Sequence, residues 1–319
     1  MGLAINGKKI IGLALNGKKI LGEAKNGKVI WKFIIASNPW QFTADNGVRS
    51  VAVDSSGNVY AGTDGSSVYK LDVSGNQVWK FTADGGVRSV AVDSSGNVYA
   101  GTWGSSVYKL DASGNQVWKF TADNAVFSVA VDSSGNVYAG TSGHSVYKLD
   151  ASRKQVWQFT ADNGVQSGVR SVAVDSSGNV YAGTDGNSVY KLDVSGKQVW
   201  KFTANDMVFS VAVDSSGNVY AGIEGFVYKL NASGNLVWNF TADGAVTSVA
   251  VDSSGNVYAG TENQYMYKLD ASGNQVWNFT AVTWVESVAV DSSGNVYYGT
   301  TDGTHGGSSA VNNFVYKYS

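Results

Sequence analysis

The chain has 319 residues, 43% of them hydrophobic and 15% charged, with a formal net charge of −2. That composition supplies a large core and excludes a compositionally disordered chain, and a near-neutral chain without a long basic run is not expected to bind nucleic acid. The absence of cysteine excludes disulfides, Cys-ligated zinc and thiol catalysis, and leaves the compartment open.

In chain order, residues 1–35 carry a period of ten: INGKKIIGLA from Ile5, LNGKKILGEA from Leu15 and KNGKVIWKF from Lys25. Asn6-Gly7, Asn16-Gly17 and Asn26-Gly27 are two-residue hairpin signals, so the segment is predicted to form a four-stranded meander. Ile11, Leu13, Leu15 and Leu21 fall on one face and Ile10, Ala14, Ile20 and Ala24 on the other. A small sheet apolar on both faces is expected to dock on the rest of the chain or on another subunit, as an attachment or oligomerisation arm. Lys8, Lys9, Lys18 and Lys19 interrupt every apolar stretch, so no signal peptide is expected. No apolar run is long enough to span a bilayer, so membrane insertion is not expected either.

From Ser50 onward the phrase SVAVDSSGNVY recurs seven times, beginning at Ser50, Ser89, Ser128, Ser171, Ser210, Ser248 and Ser287. Each unit reads as four short strands, rich in Val, Tyr, Trp and Phe, separated by turns such as D-S-S-G-N and D-V-S-G-N. Four antiparallel strands in about 40 residues is the period of a propeller blade. The seventh unit stops after three strands, at Val315-Tyr316-Lys317-Tyr318, while Pro39-Trp40-Gln41-Phe42-Thr43-Ala44-Asp45 carries the missing fourth-strand pattern ahead of the first unit. The expectation is therefore an all-β chain: a seven-bladed β-propeller over 36–319, closed by its own N-terminal strand and preceded by the meander of hairpins over 1–35.

The stretch AVDSSGNVYAGTDGSSVYKLDVSGNQVWKF, Ala52 to Phe81, resembles the repeats of the PQQ-like, quinoprotein-type β-propeller family, and its first half is similar to NHL repeats. The resemblance covers Trp40 to Ser319 and implies the fold; a propeller hosts many unrelated functions. Family members that use the quinone typically have eight blades, a disulfide of adjacent cysteines against the cofactor and acidic calcium ligands. Seven repeats and no cysteine do not match that pattern, so no cofactor is expected. The period-ten segment resembles the N-G-K repeats of bacteriophage tail proteins, which implies a virion or extracellular surface location and virion or self subunits as partners of residues 1–35.

Comparing the seven units with one another separates scaffold from candidate site. Asp54 and its six counterparts recur identically and read as turn formers, and the recurring Trp residues read as packing. Variation gathers in two loops that an up-and-down blade places on one face. The loop after the second strand supplies Trp103, His144, Phe226 and Tyr265, together with Asp64, Asp185, Glu224 and the excursion from Thr301 to Asn313. The position before each repeated Ser supplies Arg49, Arg88, Phe127, Arg170, Phe209, Thr247 and Glu286, which are expected to ring the central opening, with Trp284 nearby and Gln166 and Ser167 enlarging the rim. Arg, carboxylates and aromatic rings on one face suit ligand recognition; neutral drift on exposed loops is the alternative. His144 and His305 are too few for a zinc site, and no catalytic motif stands out. The expectation is a non-enzymatic recognition module for a host-surface glycan or protein, without cofactor or metal. The rivals are a scaffold of recently amplified or designed repeats and, third, a quinoprotein-type enzyme.

Overall fold

The computed structural model describes residues 3–5, 8–15, 18–25 and 28–32 as backbone strands, and 40–161, 168–301 and 313–318 in full. Every regular element among them is a β-strand. Leu3–Ile5, Lys8–Leu15, Lys18–Lys25 and Lys28–Lys32 pair antiparallel in chain order as one four-stranded sheet. The Asn-Gly pairs between them lie outside the described residues.

Within a repeat the strands pair in sequence order, as in Val48–Val53, Val59–Thr63, Ser67–Leu71 and Gln77–Thr82. Burial follows that order. The second strand is buried at all its positions, whereas the fourth alternates between exposed and half-buried residues. The first strands touch one another around the ring, and their Val-Ala-Val segments line one end of a central channel. Hydrophobic clusters cross the boundaries between repeats: Tyr60 and Val68 of the first repeat share a cluster with Val87, Val98 and Tyr108 of the second, and Tyr297 and Val315 of the last share one with Val48 and Val59 of the first. A single repeat therefore cannot bury its own apolar faces, and the ring is stable only when closed.

The D-S-S-G-N turns explain why Asp recurs. Asp54 Oδ1 accepts the backbone N–H groups of Ser56 and Asn58, and Oδ2 accepts from Asn58 Nδ2 and from the Tyr60 hydroxyl at 3.0 Å. Equivalent bonds hold Asp93, Asp132, Asp175, Asp214, Asp252 and Asp291. The fourth-strand Trp seats on the next repeat: Trp40 Nε1 donates to the carbonyl of Val73 at 3.0 Å and Trp79 Nε1 to that of Ala112 at 3.1 Å. Gly75 in the receiving turn has φ +84°, and a Cβ there would stand 2.6 Å from the Trp40 ring, so conformation and space both favour glycine, although the third repeat carries Arg153 at the same position with φ +80°.

Closure is direct. Phe314, Val315 and Tyr316 pair with Thr43, Phe42 and Gln41, and Lys317 N donates to the carbonyl of Trp40 at 3.0 Å. A second ring of bonds runs around the channel, in which each repeated Ser Oγ accepts the backbone N–H of a Val in the next repeat. It runs from Val90 N to Ser50 Oγ at 3.0 Å and closes with Val51 N to Ser287 Oγ at 2.9 Å.

The expectation of seven separate blades is corrected. The ring contains six sheets, five of four strands and one of six, so counted by hydrogen-bonded sheet it is six-bladed. The double blade joins repeats five and six through two long strands, Val219–Leu230 and Leu236–Val251. The cause is local. Where the first repeat reads Thr63-Asp64-Gly65-Ser66-Ser67, the fifth reads Ile223-Glu224-Gly225-Phe226, one residue shorter. The positive φ that falls on Ser66 in the first repeat falls on Gly225 in the fifth, and Glu224 pairs with Ala245, so pairing continues through what is elsewhere a turn. The seven repeats still contribute seven Val-Ala-Val segments to the channel lining.

Candidate functional site

At the other end of the channel lies a cavity of about 160 Å³ lined by Arg49, Arg88, Phe127, Arg170, Phe209, Thr247 and Glu286, with Ser89, Ser128, Ser171 and Ser210. The first seven are the variable positions before each repeated Ser. Each sits at a β-bulge: pairing skips from Val48 to Ser50, from Val87 to Ser89, and likewise at the other five repeats. A bulge leaves one residue unpaired and re-aims its side chain. Seven bulges at one level thus turn seven variable side chains toward one axis, while the Ser that follows each is held by the inter-repeat bond described above.

The three arginines are treated unequally. Arg49 is buried and bridges two acids, with Nε 2.7 Å from Asp64 Oδ2 and Nη1 2.9 Å from Glu286 Oε1. Burial opposes its charge, but Glu286 and Asp64 prevail and raise its pKa. Arg170 pairs through Nε with Asp185 and lies over the Phe127 ring. Arg88 has no ion pair among the described residues. Its guanidinium lies 5.0 Å from the Trp103 ring centre and 5.6 Å from that of Phe127, and those rings meet edge to face at 5.3 Å. Burial, then the charge of Arg49, depress its pKa against a weaker pull from Glu286 and Asp64. Across the mouth, Glu224 has its pKa raised by burial and by Glu262 and Asp206, which marks an acidic sector on repeats five and six.

Of the eleven side chains selected from the sequence, Arg49, Arg88, Phe127, Arg170, Phe209 and Glu286 line the cavity, and Trp103 stands at its edge on Arg88 and Phe127. The other four do not line it. His144 has φ +69° and occupies the second-to-third-strand turn position held elsewhere by Ser66, Ser105, Asn187 and Gln264. Its carbonyl accepts Ala161 N at 2.8 Å, and its Nδ1 is buried without a partner among the described residues. Phe226 packs against Tyr228, and Tyr265 against Tyr267, within clusters between neighbouring repeats. Trp284 opens the strand Trp284–Val290 opposite Thr301. Gln166, Ser167 and His305 lie outside the described residues. Thr247 is pinned, its single hydroxyl proton lying between the carbonyls of Gly260, at 3.0 Å, and Val285.

Asp64 and Asp185 matter more to the site than their place in a variable loop suggested, because they neutralise Arg49 and Arg170. A signal for them exists in the sequence. Each follows its arginine by 15 residues, and the residue 15 after Arg88 is Trp103. In these three repeats the residue at this spacing meets the one at the bulge. Among the described residues no group of three or more His, Cys, Asp or Glu side chains is placed to hold a metal ion.

The family model described as outer membrane protein assembly factor BamB matches residues 20–153, 142–221 and 208–310. The chain belongs to this PQQ-like repeat family. The matched PQQ-like repeats include all seven bulge positions, so the mouth is built by repeats of the family and not by an insertion into them. No curated protein matches the chain. The likeness of residues 1–35 to phage N-G-K repeats gains nothing from these comparisons.

Proposed function

We propose that this propeller is a non-catalytic recognition module that takes its ligand, a glycan or protein of a host surface, at the bulge-lined channel mouth. In this reading the chain is a tail or receptor-binding component of a bacteriophage, displayed on the virion, and residues 1–35 attach it to other virion subunits or to copies of itself. One observation carries the reading. The seven positions at which the repeats differ most in charge and shape converge on a single cavity, whereas the far end of the channel is lined by the same Val-Ala-Val segment seven times. Paired arginines with aromatic rings between them orient polar groups and offer apolar faces in one place.

Binding of the purified chain to arrayed host-surface glycans and host envelope proteins tests it. Trp103→Ala is expected to weaken retention at least about tenfold, a loss in the range of an interface anchor. Trp284→Ala, outside the cavity lining, serves as the control. Equal loss from both variants, or retention of nothing by the native chain, would overturn the reading.

A second reading, a scaffold for partner proteins, is favoured by the outer rim. Val78, Val117, Val156, Val199, Val237 and Val276 stand more than half exposed on successive fourth strands, and the family description concerns protein assembly. Replacing these Val residues with Thr separates the two, because it would abolish partner binding on a scaffold and leave a mouth ligand bound.

A further inference from the structure

Three arginines reach the mouth and only two are supplied with acids. Asp64 and Glu286 are engaged by Arg49, and Asp185 by Arg170. Arg88 has neither an ion pair nor, at its buried Nε and Nη1, a hydrogen-bond partner among the described residues. The Trp103 and Phe127 rings recover part of the lost hydration through their negative faces, but they do not supply the lone pairs that a guanidinium needs. A buried cation in this position is completed by an acceptor of opposite charge. Among the described residues Asp64, Glu286 and Asp185 are each engaged by another arginine, and the cavity that Arg88 lines gives an incoming acceptor its way to the guanidinium.

Resting on the recognition reading above, we infer that the mouth is a subsite for one carboxylated sugar unit of the hexuronic-acid type. Its carboxylate pairs with the Arg88 guanidinium and its ring lies on Trp103. Three observations favour a sugar over an acidic peptide side chain. Trp103 is 49% exposed despite holding Arg88, which leaves a flat apolar surface beside the cation for the C–H face of a pyranose. The cavity, about 160 Å³, is on the scale of one sugar ring. The Ser89, Ser128, Ser171 and Ser210 hydroxyls around it accept inter-repeat bonds through their oxygens and can still donate to ring hydroxyls.

The experiment follows the arginine Nε–H signals of the native full-length chain by NMR during titration with D-glucuronate, D-glucose and N-acetylglutamate amide. Glucuronate is expected to shift one saturable Nε–H signal, assigned to Arg88 by its disappearance in Arg88→Gln, with at least about tenfold tighter binding than either other probe. Arg88→Lys is expected to lose most of that preference although it keeps the charge, because the stacked planar cation is gone. Glucose binding as tightly as glucuronate, the glutamate derivative binding more tightly, or an Arg88 signal unmoved by any probe would each overturn the inference. A neutral glycan held at the mouth would sink this inference alone. A chain that retains no glycan or host protein would sink the recognition reading with it.

Discussion

The two ends of the channel are built from the same seven repeats by opposite rules. At the turn end each Asp is satisfied within six residues, by Asn58 and Tyr60 in the first repeat, and the solution is copied without change. At the mouth the polar groups use partners within the repeat, as Arg49 uses Asp64, and also reach across repeats: Arg49 of the first repeat finds Glu286 of the seventh, and Arg88 of the second lies over Phe127 of the third. Local satisfaction tolerates copying, because each repeat carries its own partners. Satisfaction across repeats does not, since identical side chains around one axis would place like charges face to face. The variation at the mouth therefore has an electrostatic cause in part, whatever ligand it serves.

Both ends depend on the seam that closes the ring, and removing it is expected to have the greatest effect. Deleting residues 1–43 strips the last blade of its fourth strand and exposes Val315 and Tyr297, and stability is expected to fall by on the order of 5 kcal/mol, read as a lower denaturant midpoint. An unchanged midpoint would mean that the strand is not what seals the ring. Acid separates the two ends next. Burial alone would raise each turn Asp, but hydrogen bonds from the Asn side chain and backbone, then from Tyr and Ser, outweigh it and hold the folded pKa below the ordinary value. Their stabilisation is complete above about pH 4 and is lost as pH falls through the depressed folded values. Glu224, in the loop of the fifth repeat, has a raised folded pKa, and its protonation as pH falls through that higher value removes a desolvation cost and repulsion from Glu262 and Asp206. Stability measured against pH is thus expected to drop steeply below pH about 4, and Glu224→Gln should leave that drop in place.

Smaller effects sharpen the contrast. Asp175→Ala removes the acceptor of Ser177 N, Asn179 N and the Tyr181 hydroxyl, with an expected cost of about 2 kcal/mol in chemical denaturation. At the mouth, a double-mutant cycle of Arg170→Ala with Asp185→Ala is expected to give a coupling of only about 0.5–1 kcal/mol, since the Arg170 side chain is one-third exposed. A coupling at the mouth larger than the cost at the turn would reverse the assignment of scaffold and site.

Much of this was legible in the chain. The repeat length, the four strands of a unit, the turn role of Asp54 and the donation of Trp40's strand to the last repeat all rest on local patterns that recur seven times. The convergence of Arg49, Arg88, Phe127, Arg170, Phe209 and Glu286 followed from their shared place in the repeat. His144, Phe226 and Tyr265 vary between repeats as the mouth residues do but do not line the cavity: His144 fills a left-handed turn position, and the two aromatics pack between repeats. The pairing of Asp64 with Arg49 was present as a spacing of 15 residues, but a spacing carries no direction for a side chain.

By itself the sequence determined an all-β ring of seven repeats, closed by its own first propeller strand, with its differences gathered at one end. Tertiary structure alone decided that repeats five and six share one sheet, that each variable residue stands on a bulge, and that Arg88 is the arginine left without an acid. The reason is that periodicity reports which residues are equivalent, whereas hydrogen-bond continuity and charge pairing depend on which of those equivalent residues face one another across the axis.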